Sequence, residues 1–272
     1  MAYTGKLKKI ISRNKSILVI GLDTDLNKIP NIFLKYKNPV SEFNKAVIEC
    51  TKDVAAGYKL NLAFYEYLEE QGISAMRDTV KSIPEDMIKI CDSKRGDIEN
   101  TAEMYAKTYF DKYNFDSITV SPYMGRDALV PFLKRNDKCV YVLALTSNKS
   151  NSDLQLLKSG GKFLYESVIE FSLSMSADNN VGFVFGANHT EEILKFTSLN
   201  PEVPLLIPGI GAQKNDIGML MKSIKSETAV INSSRAVIYS APKDCSEKEF
   251  FEKIRESAVE FNKEIDSCKN SV

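Results

Sequence analysis

The stretch KICDSKRGDIENTAEMYAK (89–107) passes from an apolar strand pattern into a helical one within a few residues. Beyond Asp97, apolar side chains recur at Ile98, Ala102 and Tyr105, which is the spacing of one helix face. The same change from a short apolar run to an amphipathic helix repeats along the chain. This junction is therefore one unit of a repeating β/α architecture.

Eight apolar runs rich in β-branched residues predict eight strands: SILVIGLD (16–23), AAGYKLN (55–61), MIKICDSK (87–94), FDSITVSP (115–122), KCVYVLAL (138–145), VGFVFGA (181–187), VPLLIPGI (203–210) and TAVINSS (228–234). Several are almost continuously apolar, as expected for parallel strands covered on both faces. Between them lie helical patterns, one beginning near Pro39 and a last one over roughly 246–267. Eight β/α units in about 250 residues predict a (β/α)8 TIM barrel, with an open doubly wound sheet as the competing topology. We expect a single domain over residues 1–272.

The composition excludes several classes of function. The chain carries 36 basic and 36 acidic residues, a balance that argues against nucleic-acid binding. Its five cysteines form no C-x-x-C pair, which suggests neither a zinc site nor a disulfide framework and fits a reducing cytoplasm. The first residues lack the apolar core of a secretion signal, and no apolar run approaches the ~20 residues of a membrane helix. We therefore expect a cytoplasmic protein with no membrane partner.

Polar and charged side chains follow most of the predicted strands, where a barrel builds its active site. In chain order they are Asp23, Lys59, Asn61, Asp92, Lys94, Asp97, Thr146, Ser147, the segment PGIGAQ (208–213) and the segment NSSR (232–235). Strand side chains alternate between faces, so Asp92 shares a face with Lys94, as Lys59 does with Asn61. If both faces point into the barrel mouth, Lys59, Asp92 and Lys94 converge in a partly desolvated space that tolerates charges only as pairs.

This group of charges has two interpretations. In the first, Lys59, Asp92, Lys94 and Asp97 form an alternating array that performs chemistry. In the second, they form a salt-bridge network that closes the barrel end, and Asp97 caps the helix that follows it. Capping accounts for Asp97 but leaves Asp92 and both lysines unexplained, so we favour the functional interpretation.

The segments PGIGAQ (208–213) and NSSR (232–235) resemble the phosphate site that loops after strands seven and eight of a barrel often form. Glycine allows close backbone approach, and the guanidinium of Arg235 suits phosphate oxygens. An ordinary turn beside a surface arginine is the alternative. A dinucleotide fingerprint is discarded, because Lys214 stands where its third glycine would be.

The only histidine, His189, lies in NHTEE, a pattern typical of a helix start with acidic residues in its first turn. We interpret it as a polar residue at a helix start, which leaves the chemistry to lysines and carboxylates. The longest irregular segment is TSNKSNSDLQLLKSGG (146–161), which follows the fifth strand. Above the catalytic face of a barrel, a long loop often serves as a flexible cover.

With these residues assembled, the chain resembles the orotidine 5′-monophosphate decarboxylase family. The central motif of that family is D-x-K-x-x-D-I followed by a threonine, here Asp92, Lys94, Asp97, Ile98 and Thr101. The resemblance extends to GLD with Asp23, GYKLN with Lys59, SPYMGRDAL, PGIGAQ and NSSR, and so covers nearly the full length. It departs from the family at Glu99, which we expect to face solvent, and at Ser234 and Ala236, where other members place glycines.

The resemblance implies decarboxylation of orotidine monophosphate to uridine monophosphate without cofactor or metal. It implies that Lys94 stabilises the developing carbanion and delivers the proton to C6 of the pyrimidine. Asp92 would lie beside the substrate carboxylate, while Lys59 and Asp97 hold the array in place. Asp97 and Thr101 would reach the site of a neighbouring subunit, which implies a homodimer with shared active sites.

The resemblance also implies the substrate contacts. Asp23 and Asn61 would bind the ribose hydroxyls, and Thr146 and Ser147 would bind the pyrimidine edge. Pro208 would lie beside the ring, and Ile98 would be a further binding residue. The phosphate would be bound by Gln213, Ser234 and Arg235. Two alternatives stay open. One is a related metal-dependent phosphosugar decarboxylase or aldolase, which shares D-x-K-x-x-D and uses magnesium. The other is a catalytically inactive barrel that binds a phosphorylated ligand.

Overall fold

The computed structural model of the chain describes residues 1–176, 179–209 and 217–269. At its centre, eight parallel strands pair with their neighbours in sequence, and the first also pairs with the last. The strands are β1 (Leu18–Gly21), β2 (Gly57–Asn61), β3 (Ile88–Arg95), β4 (Ser117–Val120), β5 (Cys139–Leu145), β6 (Val181–Phe185), β7 (Leu205–Pro208) and β8 (Ala229–Ser233). This closure confirms the predicted (β/α)8 barrel and excludes the open doubly wound sheet.

Each predicted strand is present, and all lie within the apolar run that predicted them except β3, which ends one residue beyond its run, at Arg95. Most are shorter than the run, because ladder pairing stops where the chain turns off the barrel while apolar residues continue into the packed loops. Every residue of β1, β4, β6 and β8 is buried. The continuous burial explains why the runs of β1 and β6 show no alternation of apolar and polar residues.

Helices follow the strands and cover the barrel. They are α1 (Tyr3–Asn14), α2 (Pro39–Thr51), α3 (Ala63–Glu66), α4 (Glu69–Ser82), α5 (Glu99–Ala106), α6 (Val130–Leu133), α7 (Leu164–Leu173), α8 (Thr190–Leu199), α9 (Ile217–Ser223), α10 (Arg235–Ile238) and α11 (Glu247–Lys269). A π-helical turn over Lys107–Lys112 continues α5, and 3₁₀ turns cover Asn31–Phe33 and Arg126–Ala128. Across the described ranges, no helix is long and apolar enough to cross a membrane.

The start of α2 shows how the sequence sets a helix boundary. Pro39 occupies the first helical position, and the Asn38 side chain accepts a hydrogen bond from the Ser41 amide at 3.2 Å. Phe43 and Val47, one turn apart, are fully buried. The predicted start at Pro39 is confirmed, and α11 lies within two residues of its predicted bounds.

Helix α1 closes the amino-terminal end of the barrel. The Tyr3 and Tyr141 hydroxyls share a buried hydrogen bond of 2.9 Å. Lys6 forms an ion pair of 2.7 Å with Asp116, the residue before β4. Because this end is filled, a ligand reaches the barrel from the opposite end, where the carboxyl ends of the strands carry the loops.

The prediction that segment 146–161 is an irregular loop is wrong in part, because the segment contains regular elements. It contains a 3₁₀ turn over Lys149–Asp153 and the first strand, Lys158–Ser159, of a small hairpin completed by Lys162–Phe163. Polar residues and glycines suggested a loop because hairpin and turn residues have the same composition.

Candidate active site

A cavity of about 590 Å³ lies at the carboxyl end of the barrel. Its lining comes from the ends of β1, β2, β3, β7 and β8 and consists of Asp23, Lys59, Asn61, Asp92, Pro208, Gly209, Asn232, Ser234, Arg235 and Ala236. Most of these residues were predicted as strand-end polar groups. The cavity is therefore the candidate site.

Lys59, Asp92 and Lys94 converge here as the strand alternation predicted. The Lys59 Nζ donates to Asp92 Oδ2 at 2.8 Å, and the Lys94 Nζ donates to Asp92 Oδ1 at 2.6 Å. Each carboxylate oxygen of Asp92 thus accepts from a different ammonium group. The register explains the approach, because Asn61 at the end of β2 lies beside Asp92 on β3.

Burial and charge together fix the ionisation of this group. The side chains of Lys59 and Asp92 are 4% and 10% exposed, whereas that of Lys94 is 50% exposed. Burial alone raises the pKa of the Asp92 carboxyl, but the ammonium groups of Lys59 and Lys94 outweigh it and hold that pKa below its usual value. Burial lowers the pKa of Lys59, but the carboxylates of Asp23 and Asp92 outweigh it and raise that pKa. Asp92 and Lys59 are therefore both ionised at neutral pH.

Lys94 lies on a bulge of β3. Cys91 pairs with Ile118 and Arg95 with Val120, so four steps along β3 match two along β4. Lys94 has a φ of 48°, in the left-handed region that non-glycine residues enter at a cost of about 1–2 kcal/mol. The bulge leaves the Lys94 side chain at the mouth of the barrel, half-exposed and beside the cavity.

Asp23 is the second carboxylate of the array within one chain. Its Oδ1 lies 3.5 Å from the Lys59 Nζ, and its Oδ2 accepts from the Ser234 hydroxyl at 2.8 Å. The Tyr239 hydroxyl donates to the Asp23 carbonyl at 3.2 Å, and burial raises the pKa of Tyr239 to about 12. Lys59 thus sits between two carboxylates.

Asp97, Ile98 and Thr101 lie away from this group. Asp97 accepts a hydrogen bond from the adjacent Ile98 amide at 2.8 Å and, among the residues described, has no ion-pair partner within 4 Å. It makes no bond to the second or third amide of α5, so the capping interpretation is wrong. Ile98 and Thr101 are exposed, as is Glu99. Ile98 and Thr101 therefore face solvent, Asp97 is half-buried, and none of the three lines the cavity of its own chain.

Thr146 and Ser147 begin the loop after β5 beside the cavity. The Thr146 amide donates to the Gln155 side chain at 2.8 Å, and its carbonyl accepts from Asn151 at 2.7 Å. His189 Nε2 lies 3.1 Å from the same carbonyl. Ser147 lies next to Gly209, where a β-carbon would be 3.8 Å from its hydroxyl. His189 precedes α8, as predicted, but its side chain fixes the Thr146 loop instead of capping the helix.

The predicted phosphate residues are only partly described. Pro208 ends β7 and lines the cavity with Gly209, whose φ of 101° favours glycine. Gln213 lies outside the described residues. The Ser234 hydroxyl is bonded to Asp23, while Arg235 is exposed at the cavity edge and, in the described part of the chain, has no ion-pair partner.

Sequence reasoning missed Thr119 and Tyr239, and it gave Asn232, inside the predicted segment NSSR (232–235), no role of its own. The Thr119 hydroxyl donates to Asp92 at 3.0 Å and accepts from the Lys94 amide at 2.9 Å, so it fixes both charges. Asn232 lines the cavity and donates to Ser234 at 3.2 Å. Thr119 could have been found as a polar residue near the carboxyl end of the predicted strand FDSITVSP (115–122). No sequence signal pointed to Tyr239.

The chemistry available at this site follows from its charges. The Lys94 ammonium lies at the mouth, beside the cavity, where it can stabilise developing negative charge and supply a proton. Across the described ranges, no three His, Cys, Asp or Glu side chains group closely enough to hold a metal ion.

Comparisons with known proteins agree with this geometry. The model of the Orotidine 5′-phosphate decarboxylase / HUMPS family matches residues 16–248. An orotidine 5′-phosphate decarboxylase from Christiangramia forsetii is 43% identical over 241 residues, covering 87% of this chain and 89% of that protein. One from Flavobacterium johnsoniae is 40% identical over 267 residues, covering 96% of each. The solved structure of Leishmania donovani OMP decarboxylase is 32% identical, with a TM-score of 0.84 and full coverage of both chains.

Proposed function

The chain belongs to the orotidine 5′-phosphate decarboxylase / HUMPS family, and on that premise we propose that it converts orotidine 5′-monophosphate to uridine 5′-monophosphate. This reaction is the last step of de novo uridine monophosphate synthesis. The observation that carries the proposal is the placement of two ammonium groups on one carboxylate, Asp92, at the cavity. The proposal treats residues 1–272 as one catalytic barrel.

The difficulty of the reaction is electrostatic. When the bond between C6 and the carboxylate breaks, carbon dioxide leaves and the electron pair stays on C6 in an orbital with no conjugated sink. In the proposed mechanism, the Lys94 ammonium stabilises this carbanion and transfers a proton to C6. The neutral amine then takes a proton from solvent, which its 50% exposure allows.

The remaining charges hold Lys94 ready for that transfer. Ionised Asp92 accepts from Lys94 at 2.6 Å and places negative charge beside the departing carboxylate, which it disfavours in the bound substrate. Lys59 neutralises the other oxygen of Asp92, and Asp23 flanks Lys59. The array therefore requires no reorganisation when charge develops on the substrate.

The cavity size and its lining support the proposed substrate contacts. Asp23 and Asn61 hold the ribose hydroxyls, Pro208 packs beside the ring, and Thr146 and Ser147 meet the pyrimidine edge. Arg235, with Gln213, binds the phosphate. Because its hydroxyl is bonded to Asp23, Ser234 contributes its backbone N–H to the phosphate.

We infer that the functional unit is a homodimer with shared sites. Asp97, Ile98 and Thr101 do not line the cavity of their own chain, and Ile98 is 49% exposed. Their position suits a partner subunit, whose array Asp97 would complete while Ile98 and Thr101 contact its substrate. The proposal also places the enzyme in the cytoplasm, where its five free thiols would stay reduced.

The decisive test is turnover of orotidine monophosphate, followed by its absorbance change, in excess chelator. We expect full activity, because Lys59 supplies the positive charge between Asp23 and Asp92 that a metal would otherwise provide. Activity that needs added magnesium, on a phosphosugar substrate, would instead support the metal-dependent relative. Absence of any turnover would support an inactive ligand-binding barrel.

The assigned proton donor is tested by Lys94→Ala. We expect turnover to disappear while uridine monophosphate binding, measured by calorimetry, stays within a few-fold of wild type. Binding survives because the phosphate and ribose contacts do not involve Lys94. Near-normal turnover in this variant would refute the role of Lys94.

A further inference from the structure

Arg95 directly follows Lys94, but its side chain leaves the cavity and enters the space between α3 and α5. Its guanidinium forms an ion pair with Glu66 at the end of α3. It donates to the Tyr109 hydroxyl at 3.1 Å and lies 5.3 Å and 5.8 Å from the ring centres of Tyr105 and Tyr109. One side chain thus joins the helix after β2 to the helix after β3.

The backbone of Arg95 closes the bulge that carries Lys94. Its carbonyl accepts from the Ser121 amide at 2.7 Å, and the residue pairs with Val120 on β4. Gly96 lies so close to Ser121 that a β-carbon there would be 3.2 Å from the Ser121 carbonyl oxygen. The chain is therefore fixed immediately after Lys94.

Lys94 needs such fixation. Its φ of 48° is unfavourable for a lysine, and its half-exposed side chain has one ion-pair partner, Asp92, among the residues that the structure describes. A bulge residue in the left-handed region relaxes unless the surrounding structure holds it. On one side, the Thr119 hydroxyl accepts a hydrogen bond from the Lys94 amide at 2.9 Å. On the other side, the anchored side chain of Arg95 fixes the position next to Lys94.

We propose that Arg95 is a positioning residue for Lys94: its anchored guanidinium holds the bulge in the conformation that aims the Lys94 ammonium at the reacting carbon. The proposal rests on the proposed function and extends it to a residue outside the cavity. In the described part of the chain, the Arg95 guanidinium interacts with Glu66, Tyr105 and Tyr109, none of which lines the cavity, so it acts through the backbone of its neighbour.

The test compares Arg95→Met with wild type in the full-length enzyme. Misplacement of a reacting group by about 1 Å costs roughly 100-fold in rate, so we expect kcat to fall about 10- to 100-fold. KM should change less than about threefold, because the substrate-binding residues are untouched.

A binding measurement separates positioning from general damage. We compare the dissociation constants of uridine monophosphate and of the same nucleotide carrying an anionic oxygen at C6, which requires a correctly placed Lys94. In Arg95→Met the preference for the anionic nucleotide should fall by about the same factor as kcat, while uridine monophosphate binding is retained.

Arg135→Met is the matched control. Arg135 also secures the helical segment of α5 and the π-helical turn, through Asp111 at 2.7 Å and Glu103 at 3.0 Å, but it is far from Lys94 in sequence and does not touch the bulge. We expect it to lower the melting temperature while leaving kcat and the anionic preference unchanged.

Tyr109→Phe is the gentler variant, since it removes one hydrogen bond and keeps the ring. We expect a smaller loss of kcat and of anionic preference in the same direction. If Arg95→Met does not fold, this variant decides the outcome. Wild-type kcat and anionic preference in Arg95→Met overturn the inference, as do wild-type values in Tyr109→Phe if Arg95→Met does not fold. An equal loss of kcat and anionic preference in Arg135→Met also overturns it. Absence of turnover in the wild-type enzyme overturns the proposed function itself.

Discussion

Replacing Lys59 by methionine tests whether the charges at the cavity stabilise one another. Methionine keeps most of the volume of the lysine stem but removes the ammonium that is 2.8 Å from Asp92 and 3.5 Å from Asp23. Because the Asp92 side chain is only 10% exposed, water in the cavity replaces the lost partner only in part. The variant therefore leaves a buried carboxylate with less compensation.

The expected cost follows from the partners that remain. Removing one member of a buried ion pair costs about 3–5 kcal/mol in free energy of unfolding. Asp92 still accepts from Lys94 at 2.6 Å and from Thr119 at 3.0 Å, which places the expected loss at the lower end, ~3 kcal/mol. Changing both partners, in Lys59→Met with Asp92→Asn, should recover part of that loss, because no uncompensated charge is then buried.

The contributions of Asp92 and Lys59 to the free energy of unfolding depend on pH, each with a definite sign. The pKa of Asp92 is depressed in the wild type, so its contribution to stability is present above the unfolded-state value of ~3.9 and is lost as pH falls through the folded-state pKa. The pKa of Lys59 is raised, so its contribution is present below ~10.4 and is lost as pH rises through the folded-state pKa. The difference in free energy of unfolding between the wild type and Lys59→Met should be constant from about pH 6 to pH 9.

At acidic pH, the difference in free energy of unfolding between the wild type and Lys59→Met should become smaller. Without Lys59, burial raises the pKa of Asp92 with one fewer ammonium to oppose it, so a proton neutralises the carboxylate at a higher pH than in the wild type. Urea unfolding followed by far-ultraviolet circular dichroism provides the measurement, since the chain has no tryptophan. A loss below about 1 kcal/mol, or a difference that stays flat down to pH 4, would refute the reasoning.

Three further outcomes are expected. Arg235→Ala should raise KM about 10- to 150-fold, the equivalent of ~1.5–3 kcal/mol for a charge-assisted phosphate contact, and an unchanged KM in steady-state assays would move the phosphate elsewhere. Mixing inactive Lys94→Ala and Asp97→Ala subunits should restore some turnover, because one site of the mixed dimer has both groups; no recovery despite proven exchange contradicts shared sites. Thr119→Val should lower unfolding free energy by about 1.5–3 kcal/mol through its bond to Asp92, measured in urea, and wild-type stability would exclude that bond.

The ion pairs at the cavity show what the sequence could predict of the site and what it could not. Alternation along β2 and β3 predicted that Lys59, Asp92 and Lys94 converge if both polar faces point into the barrel mouth, but the bulge that carries Lys94 was not predicted. Alternation also did not reveal that Asp23, rather than Asp97, is the second carboxylate near Lys59 within one chain. That contact depends on β1 lying beside β2 in the closed barrel, with Gly21 opposite Lys59.

The sequence by itself determined the eight strands, the start of α2 and the charged strand ends, because burial between two layers demands continuous apolar runs and caps and prolines act locally. Tertiary structure alone decided the bulge at Lys94, its left-handed backbone and the anchoring of Arg95 between two helices. A bulge depends on the register between neighbouring strands, and an anchor depends on which helices pack together. Both involve residues distant in sequence, so no local pattern of residues encodes them.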